Sequence, residues 1–511
     1  MDTQPRPPVP TVAPKTRRTG WWGVAALALP ALLASLELTV TNLALPSIAI
    51  ALQATSLQLL WIADVYALLL AGSLVLMGAL GDRFGSRRIL LLGAAGYGVA
   101  SCLAAFAPTA DTLIVARGLM GIAGATLMPS TLALASSLFP DARRRATAVA
   151  MIIASVSAGT ALGPLVGGVL LEQFWWGSAF LIGAPIMLLV LVLVPMFVPE
   201  RPRVPGARLD VLSAALICAC LLLCVAALKR LATGELTVFP LLAILLAVGL
   251  GVWFVRRQLR SPFPLLDVRL FAGRRFTTTV LTLTLGIFVL WGSNYALAQL
   301  LQLVLGLSPI VAGIWTAAPA VAVIAGSTLA PRWAARFTPE RVTIASLVLA
   351  GIGYTLLGVV SGSGDPLLII AAAVLISAGL GPIMVLTTAA IIESGGPERA
   401  GAAAAISSTA PQVGGAVGLA VLGSIGLGVY RSTLEAADLP RRAAELRDRA
   451  MDGLAAIAPP QGGDSPVDPL LGAVRTVAVE AQIAGLQAVA FTCAGVLLAC
   501  VIANILAFRK P

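Results

Sequence analysis

Two carboxylates lie inside otherwise apolar stretches: Glu37 in ASLELTVTNLALP and Asp64 in LWIADVYALLL. An ionised carboxylate at the middle of a lipid-spanning helix costs on the order of 3 kcal/mol. A group that carries such a cost is expected to have a partner or a task. The chemistry open to it is exchange, because a buried acid can hold a proton or the charge of an organic cation. A third ionisable group, Arg117 in LIVARGLMGIAGA, is placed the same way. Counted from the expected outer ends of their segments, Arg117, Asp64 and Glu37 fall at depths of roughly 9, 10 and 13 Å, at 1.5 Å per helical residue. An arginine level with two acids can pair with one and lower its proton affinity, as a proton relay requires. A static salt bridge is the alternative.

Uncharged groups that could line the same cavity surround these three. Trp61, Asp64 and Leu68 share a helical face, with Tyr66 two residues on, and carboxylate plus indole is a natural receiver for a delocalised cation. Interface-belt aromatics are the other reading of Trp61 and Tyr66. Asn42 follows Glu37 by five residues, and Asn294, Gln299, Gln302 and Gln412 are polar interruptions of later apolar stretches. No carboxylate occurs between Arg269 and Glu340, so the proton chemistry is concentrated in the first part of the chain.

The elements that must hold these groups follow from composition. Of 511 residues 59% are hydrophobic and 11% charged, against about 25% charged in a soluble domain, and mean hydropathy is +0.96. The protein is expected to be an all-α polytopic membrane protein. Helical spans need about 20 apolar residues, and fourteen can be placed: 22–46, 57–79, 89–107, 111–138, 146–170, 177–198, 209–230, 237–255, 277–305, 310–330, 342–361, 366–392, 401–428 and 482–508. The ten-residue alternation of a β-barrel is not seen. With the N-terminus inside, 25 of the 34 Lys and Arg fall in the tails and even-numbered loops, so the positive-inside rule puts both termini in the cytoplasm. The net charge of +11 is thereby explained by topology rather than by nucleic acid. Six cysteines in apolar segments, with no histidine anywhere, make metal sites poor candidates.

The expected organisation is a cytoplasmic tail at 1–21, a six-helix bundle at 22–198, a linker with two inserted helices at 199–257, a cytoplasmic loop at 258–276 and a second six-helix bundle at 277–508. Within the last, segment 429–481 is the sizeable extramembrane piece, either a helical hairpin over the outer mouth or a solvated connection. Echoes between LGDRFGSRR and LAPRWAARFTPER, and between GTALGPLVGG and QVGGAVGLAVLG, suggest related halves. The sequence GALGDRFGSRR places Gly78, Asp82, Arg83 and Gly85 where a conformational latch between the bundles could sit. Gly159, Gly163, Gly167 and Gly168 give a smooth helix face, and Pro164 at its centre favours a kink.

Taken together, LELTVTNLALP, LWIADVYAL, GALGDRFGSRR, ARGLMGIAGATLMP, GTALGPLVGGVLLEQF and LLDVRLF resemble, nearly end to end, the fourteen-helix drug:proton antiporters of the major facilitator superfamily. The resemblance implies a secondary active transporter in a bacterial inner or plasma membrane, not an enzyme. It implies proton-coupled multidrug efflux of lipophilic cations such as quaternary ammonium compounds and dyes, with fluoroquinolones a further class. By position, Gly78, Asp82, Arg83 and Gly85 resemble the family's inter-bundle latch, Arg117 its proton-linked arginine, and Gly159 through Gly168 its antiporter signature. Glu37 and Asp64 resemble its acidic sites for cation and proton. Glu37 stands where Asp is common, and Ser407 and Gln412 stand in regions where exporters of dications carry acids, so monovalent cations are expected to be preferred. The expected partners are lipophilic cations, protons and the bilayer, with the protein a monomer. No cofactor is expected beyond the proton gradient, and GxxxxGK[ST] is absent. Export of one endogenous metabolite or antibiotic is the alternative, and a membrane-embedded enzyme, a lipid-handling protein and an uptake symporter are the more distant ones.

Overall fold

A computed structural model describes residues 17–200, 210–232, 238–261, 266–394, 396–439, 443–457 and 469–508. Most of the expected tail, the basic run Arg201 to Arg208, the PPQGGDSP segment and Lys510 lie outside the described residues. Fourteen helices are long and apolar enough to cross a membrane. They are α1 Gly20–Leu52, α2 Ser56–Phe84, α3 Ser86–Ala105, α4 Ala110–Ser137, α5 Arg143–Gln173, α6 Ser178–Phe197, α7 Val211–Ala232, α8 Val238–Arg260, α9 Arg274–Val304, α10 Pro309–Phe337, α11 Pro339–Val360, α12 Pro366–Ser394, α13 Ala405–Ala436 and α14 Pro469–Ala507. Each overlaps one expected span. The largest difference is α14, whose helix begins at Pro469, thirteen residues before the expected start, and runs to Phe508. At 1.5 Å per residue its 40 residues reach about 60 Å, twice the hydrocarbon thickness. It therefore projects beyond the face opposite the chain ends, here called the distal face.

Packing repeats between the halves. The α1–α5 contact has its counterpart in α9–α13, and α2–α4 in α10–α12. Two contacts cross between halves, α5 on α10 and α13 on α2, related by the same shift of eight helices. Helix α7 fits against both α2 and α13, while α8 packs mainly on α7. This is two six-helix bundles with two helices inserted between them. Asp210 caps α7, accepting from the Ser213 N–H at 3.1 Å and from Arg257 of α8 at 2.9 Å. Burial pushes its carboxyl up, but these bonds outweigh that and hold it below the usual carboxylate range.

The halves meet toward the distal face. Gly168 of α5 packs on Ile310 of α10, Leu60 of α2 on Gly423 of α13, and Gln302 donates to the Leu43 carbonyl at 3.0 Å. Toward the opposite face, which carries both described ends, the second half has its own clusters. Phe276, Val280, Leu283 and Ile287 pack with Ile391, Ala403 and Ile406, and Ala330 packs with Val342 and Leu386. Among the described residues neither cluster includes a member of α1–α6.

Of the expected outer segment 429–481, all but 440–442 and 458–468 is described. A short helix, Ala444–Met451, and a 3-10 turn, Leu454–Ile457, fold down over the distal junction. Leu454, Ala455 and Ile457 join the main core cluster. The Tyr430 hydroxyl donates to the Ala450 carbonyl at 2.7 Å, and the Ser56 hydroxyl to that of Asp452 at 2.5 Å. Beneath lies a cavity of about 50 Å³ bordered by Leu60, Tyr295, Gln299, Leu454 and Gln482, far below the 300 Å³ or more that a drug-sized ligand takes. The distal side is thus plugged. Because Leu454 is 4% exposed, Leu454→Ala should cost about 2–5 kcal/mol and lower the midpoint of thermal unfolding in detergent. Leu245→Ala, on a side chain 68% exposed on α8, should leave that midpoint in place.

Candidate functional site

Helix rotation decides where the two acids point. Gly159, Gly163 and Gly167 of α5 lie directly against Leu32, Ser35, Thr39 and Val40 of α1, and a methyl at Gly167 would come within 3.2 Å of Val40. The Ser35 hydroxyl donates to the Val156 carbonyl at 2.8 Å and fixes the same seam. With 32, 36, 39 and 40 turned to α5, the 100° step per residue turns Glu37 away from it. There Glu37 pairs with Arg117 Nη1 of α4, the two side chains 2% and 0% exposed. Arg117 Nε donates to the Ile62 carbonyl at 3.1 Å, and its guanidinium stacks on Tyr66 at 4.7 Å and Phe180 at 5.5 Å. Glu37 Oε2, Arg117 Nη2 and the Tyr66 hydroxyl are buried without a hydrogen-bond partner.

Asp64 is set by a second seam. Gly118, Gly121 and Gly124 of α4 receive Val65, Tyr66 and Leu69 of α2, so Leu60, Trp61 and Asp64 turn toward α7 and α13. Gly72 of α2 lets α7 approach until a methyl there would come within 3.2 Å of Cys218 Cα. From that crossing, Asp64 lies eight residues toward the distal face on α2 and Lys229 eleven on α7, about 12 and 16 Å. The lysine stem spans the difference by folding back toward the membrane centre. Its ammonium donates to Asp64 Oδ1 at 2.8 Å and sits 3.7 Å from the Trp61 ring centroid. Both side chains are 0% exposed. Asp64 Oδ2 has no hydrogen-bond partner.

Several expectations are revised by this geometry. Neither acid lies open to a chamber in this structure; each is closed over by a cation. Of the two acids at its level, Arg117 pairs with Glu37. Tyr66 points away from Asp64 and stacks on Arg117. The Trp61 face is occupied by Lys229, which sequence reasoning passed over. The signal was present: Lys229 and Arg230 are basic residues at the expected outer end of a span, against the positive-inside rule. Asn42 and Gln412 are half-buried, Asn294 is exposed, and Gln299 accepts from Gln482 at 3.0 Å.

Gly78, Gly81 and Arg87 of the GALGDRFGSRR turn make contacts within the first half. Gly78 packs on Pro129 and Gly81 on Ser130, and the Arg87 N–H donates to Glu200, beyond the end of α6, at 2.9 Å. Gly85 has φ +108°, which favours glycine, and an added Cβ would press on the Glu200 carboxyl at 3.0 Å. Asp82 is half-buried and Arg83 exposed. Pro164 and Gly168 of the glycine motif face α10 across the halves, at Gly313 and Ile310.

The Major Facilitator Superfamily profile matches residues 27–419. The chain belongs to that superfamily. It is a multi-pass membrane transporter and not an enzyme. Among its relatives, the multidrug efflux pump LfrA of Mycolicibacterium smegmatis is 42% identical over 425 residues, covering 83% of this chain and 84% of LfrA. The methyl viologen resistance protein SmvA of Salmonella typhimurium is 32% identical over 458 residues, covering 88% and 92%. In fold the chain is similar to a bacterial homologue of the human lysosomal transporter Spinster, with a TM-score of 0.67, 17% identity and coverage of 97% and 100%.

A buried ion pair stripped of one member leaves an uncompensated charge, at about 3–5 kcal/mol. Arg117→Gln and Glu37→Gln should therefore each lower thermal stability by several degrees, and the double substitution by less than the sum. A double-mutant cycle on detergent-purified protein reads this coupling, and additive losses would show the pair to be energetically idle.

Proposed function

We propose that the protein is a proton-coupled efflux antiporter for lipophilic organic cations, among them quaternary ammonium compounds and ethidium, with both chain ends in the cytoplasm. The observation that carries the reading is a buried carboxylate and indole, Asp64 and Trp61, already holding an ammonium group. A site that solvates one cation by charge and ring face can receive another of similar charge and greater apolar surface. The relatives named as a multidrug efflux pump and a methyl viologen resistance protein support export as the direction. The bias of basic residues supports the orientation. The face carrying both described chain ends would then be cytoplasmic, and the plugged distal face external.

The cycle follows from competition for one charge. With the cytoplasmic side open, a cation enters and a proton leaves; with the outer side open, a proton enters and the cation leaves. Rocking of the two bundles about the buried site would alternate access. The energy source is the proton gradient, and no cofactor is required. Export of a single antibiotic is the second reading, favoured by relatives named as resistance proteins for puromycin and methylenomycin A.

Inside-out vesicles holding the protein should accumulate ethidium when their lumen is acid, and an uncoupler should abolish this. Accumulation that survives the uncoupler removes proton coupling; none with ethidium or other cations, beside uptake of one antibiotic, favours the second reading. Asp64→Asn and Glu37→Gln should each lower coupled transport at least roughly tenfold at unchanged membrane abundance, measured by fluorescence and immunoblot. Of a matched mono- and bis-quaternary pair, the monovalent compound should be exported faster, since the acids from α9 to α13, Glu340, Asp365, Glu393, Glu398 and Glu435, all lie at or beyond helix ends.

A further inference from the structure

The buried cluster contains two acids and two bases, Glu37 and Asp64 with Arg117 and Lys229. With every member ionised it is neutral. Entry of a fixed cation leaves one positive charge uncompensated unless a member of the cluster gives one up. An arginine stays protonated in proteins, whereas a lysine readily loses its proton when buried. Both carboxylates face a cation and have, as ions, no proton to release. That leaves the Lys229 ammonium.

Among the described residues, the charged groups around Lys229 have other partners or lie at helix ends. From α2, Lys229 meets Asp64 and Trp61. Helix α9 presents the Tyr295 phenol toward Asp64 and keeps its arginines, Arg274 and Arg275, at the far end. Helix α13 carries charges at Arg431 and Glu435, beyond Gly428 where it meets Ala232 at the end of α7. Arg230, the neighbour on α7 itself, turns to Phe239 of α8. Arg117 acts on Asp64 from α4 and is taken up by Glu37.

We propose that Lys229 carries the exchanged proton: as an ammonium it fills the Asp64–Trp61 site, and as a neutral amine it yields that site to the transported cation. The proposal rests on the cation-exchange reading above and names its proton carrier. In the loading step the N–H bond of the ammonium breaks, the electron pair stays on nitrogen, and the proton passes to water on the open side. The fixed cation takes over the contacts to Asp64 and the indole, and the net charge is unchanged. In unloading, a proton from the other side binds the amine, the ammonium returns to Asp64, and the cation is expelled. One proton moves per monovalent cation. The inserted helix α7 thereby supplies a tethered competitor for the substrate, and the two six-helix bundles alone would lack it.

The test titrates tetraphenylphosphonium, a fixed monovalent cation, into the full-length protein in weakly buffered detergent, with binding read by equilibrium dialysis and protons by an indicator dye. Wild type should release about one proton per cation bound. Lys229→Arg keeps a charge that cannot leave, so it should bind at least roughly tenfold more weakly and release no proton. A Lys229→Arg protein that binds and releases protons as wild type does overturns the proposal. A second measurement needs no change at the site. The chain has three lysines, Lys15, Lys229 and Lys510, so Lys15→Arg with Lys510→Arg leaves one side-chain nitrogen to follow by selective 15N labelling. Its resonance should pass from the ammonium to the amine position at saturation, and an ammonium signal that persists overturns the proposal. A wild-type protein that binds no tetraphenylphosphonium at any pH overturns the lipophilic-cation reading itself, and this proposal with it.

Discussion

Charge neutrality within the hydrocarbon layer is the constraint on which the rest of this structure depends. Four ionised side chains would each cost several kcal/mol if buried alone. They are admitted because each negative charge has a positive partner against it: Glu37 with Arg117, and Asp64 with Lys229. Aromatic faces add to both cations, Tyr66 and Phe180 to the guanidinium and Trp61 to the ammonium. The pairs nonetheless remain incompletely satisfied, since one oxygen of each carboxylate and one nitrogen of Arg117 lack partners.

Glycine seams translate sequence into the orientation of these charges. Bulkier residues at 159, 163 and 167 would meet α1 and force it to rotate or withdraw. Glu37 would then leave the reach of Arg117. The same holds for 118, 121 and 124 against α2, and for Gly72 against Cys218 of α7. Small residues permit close backbone approach where helices have no hydrophobic drive to associate in lipid. Their consequence here is electrostatic, because at 100° per residue a slight rotation moves a carboxylate from a cation into lipid.

Much of the fold was legible because hydropathy is a local property. A span is recognised by about 20 consecutive apolar residues, and all fourteen were placed on that basis. The helix of α14 begins before the expected span because residues 469–481, of mixed polarity, extend beyond the hydrocarbon layer beside the distal cap. At the site, Glu37, Asp64 and Arg117 were visible as charges out of place, but depth alone did not say which acid Arg117 would take, and the structure gives it Glu37. Lys229 was not seen, because its role depends on α7 fitting against α2 and α13, a tertiary fact that span counting does not contain. Tyr66 was assigned to the wrong neighbour for a related reason: two residues along a helix is a turn of 200°, which separates it from Asp64 despite their closeness in sequence.

The distribution of contacts also bears on how such a molecule could alternate. The seam holding the distal face closed includes small residues in close contact, Gly168 against the Ile310 backbone and Gly423 against the Leu60 side chain. The polar ties across it are few, as between Gln302 and the Leu43 carbonyl and between Ser56 and Asp452. Contacts of this kind exchange lipid or water for protein with little net change, so they can be broken and remade. The ion pairs lie in or beside the first half: Glu37–Arg117 wholly within it, Asp64–Lys229 between it and α7. A rocking motion of the second half would therefore leave the first pair intact. The second would be strained or relieved according to whether α7 follows α2 or α13. An inserted helix that touches both halves is mechanically coupled to their separation, and the charge it carries is coupled to it as well.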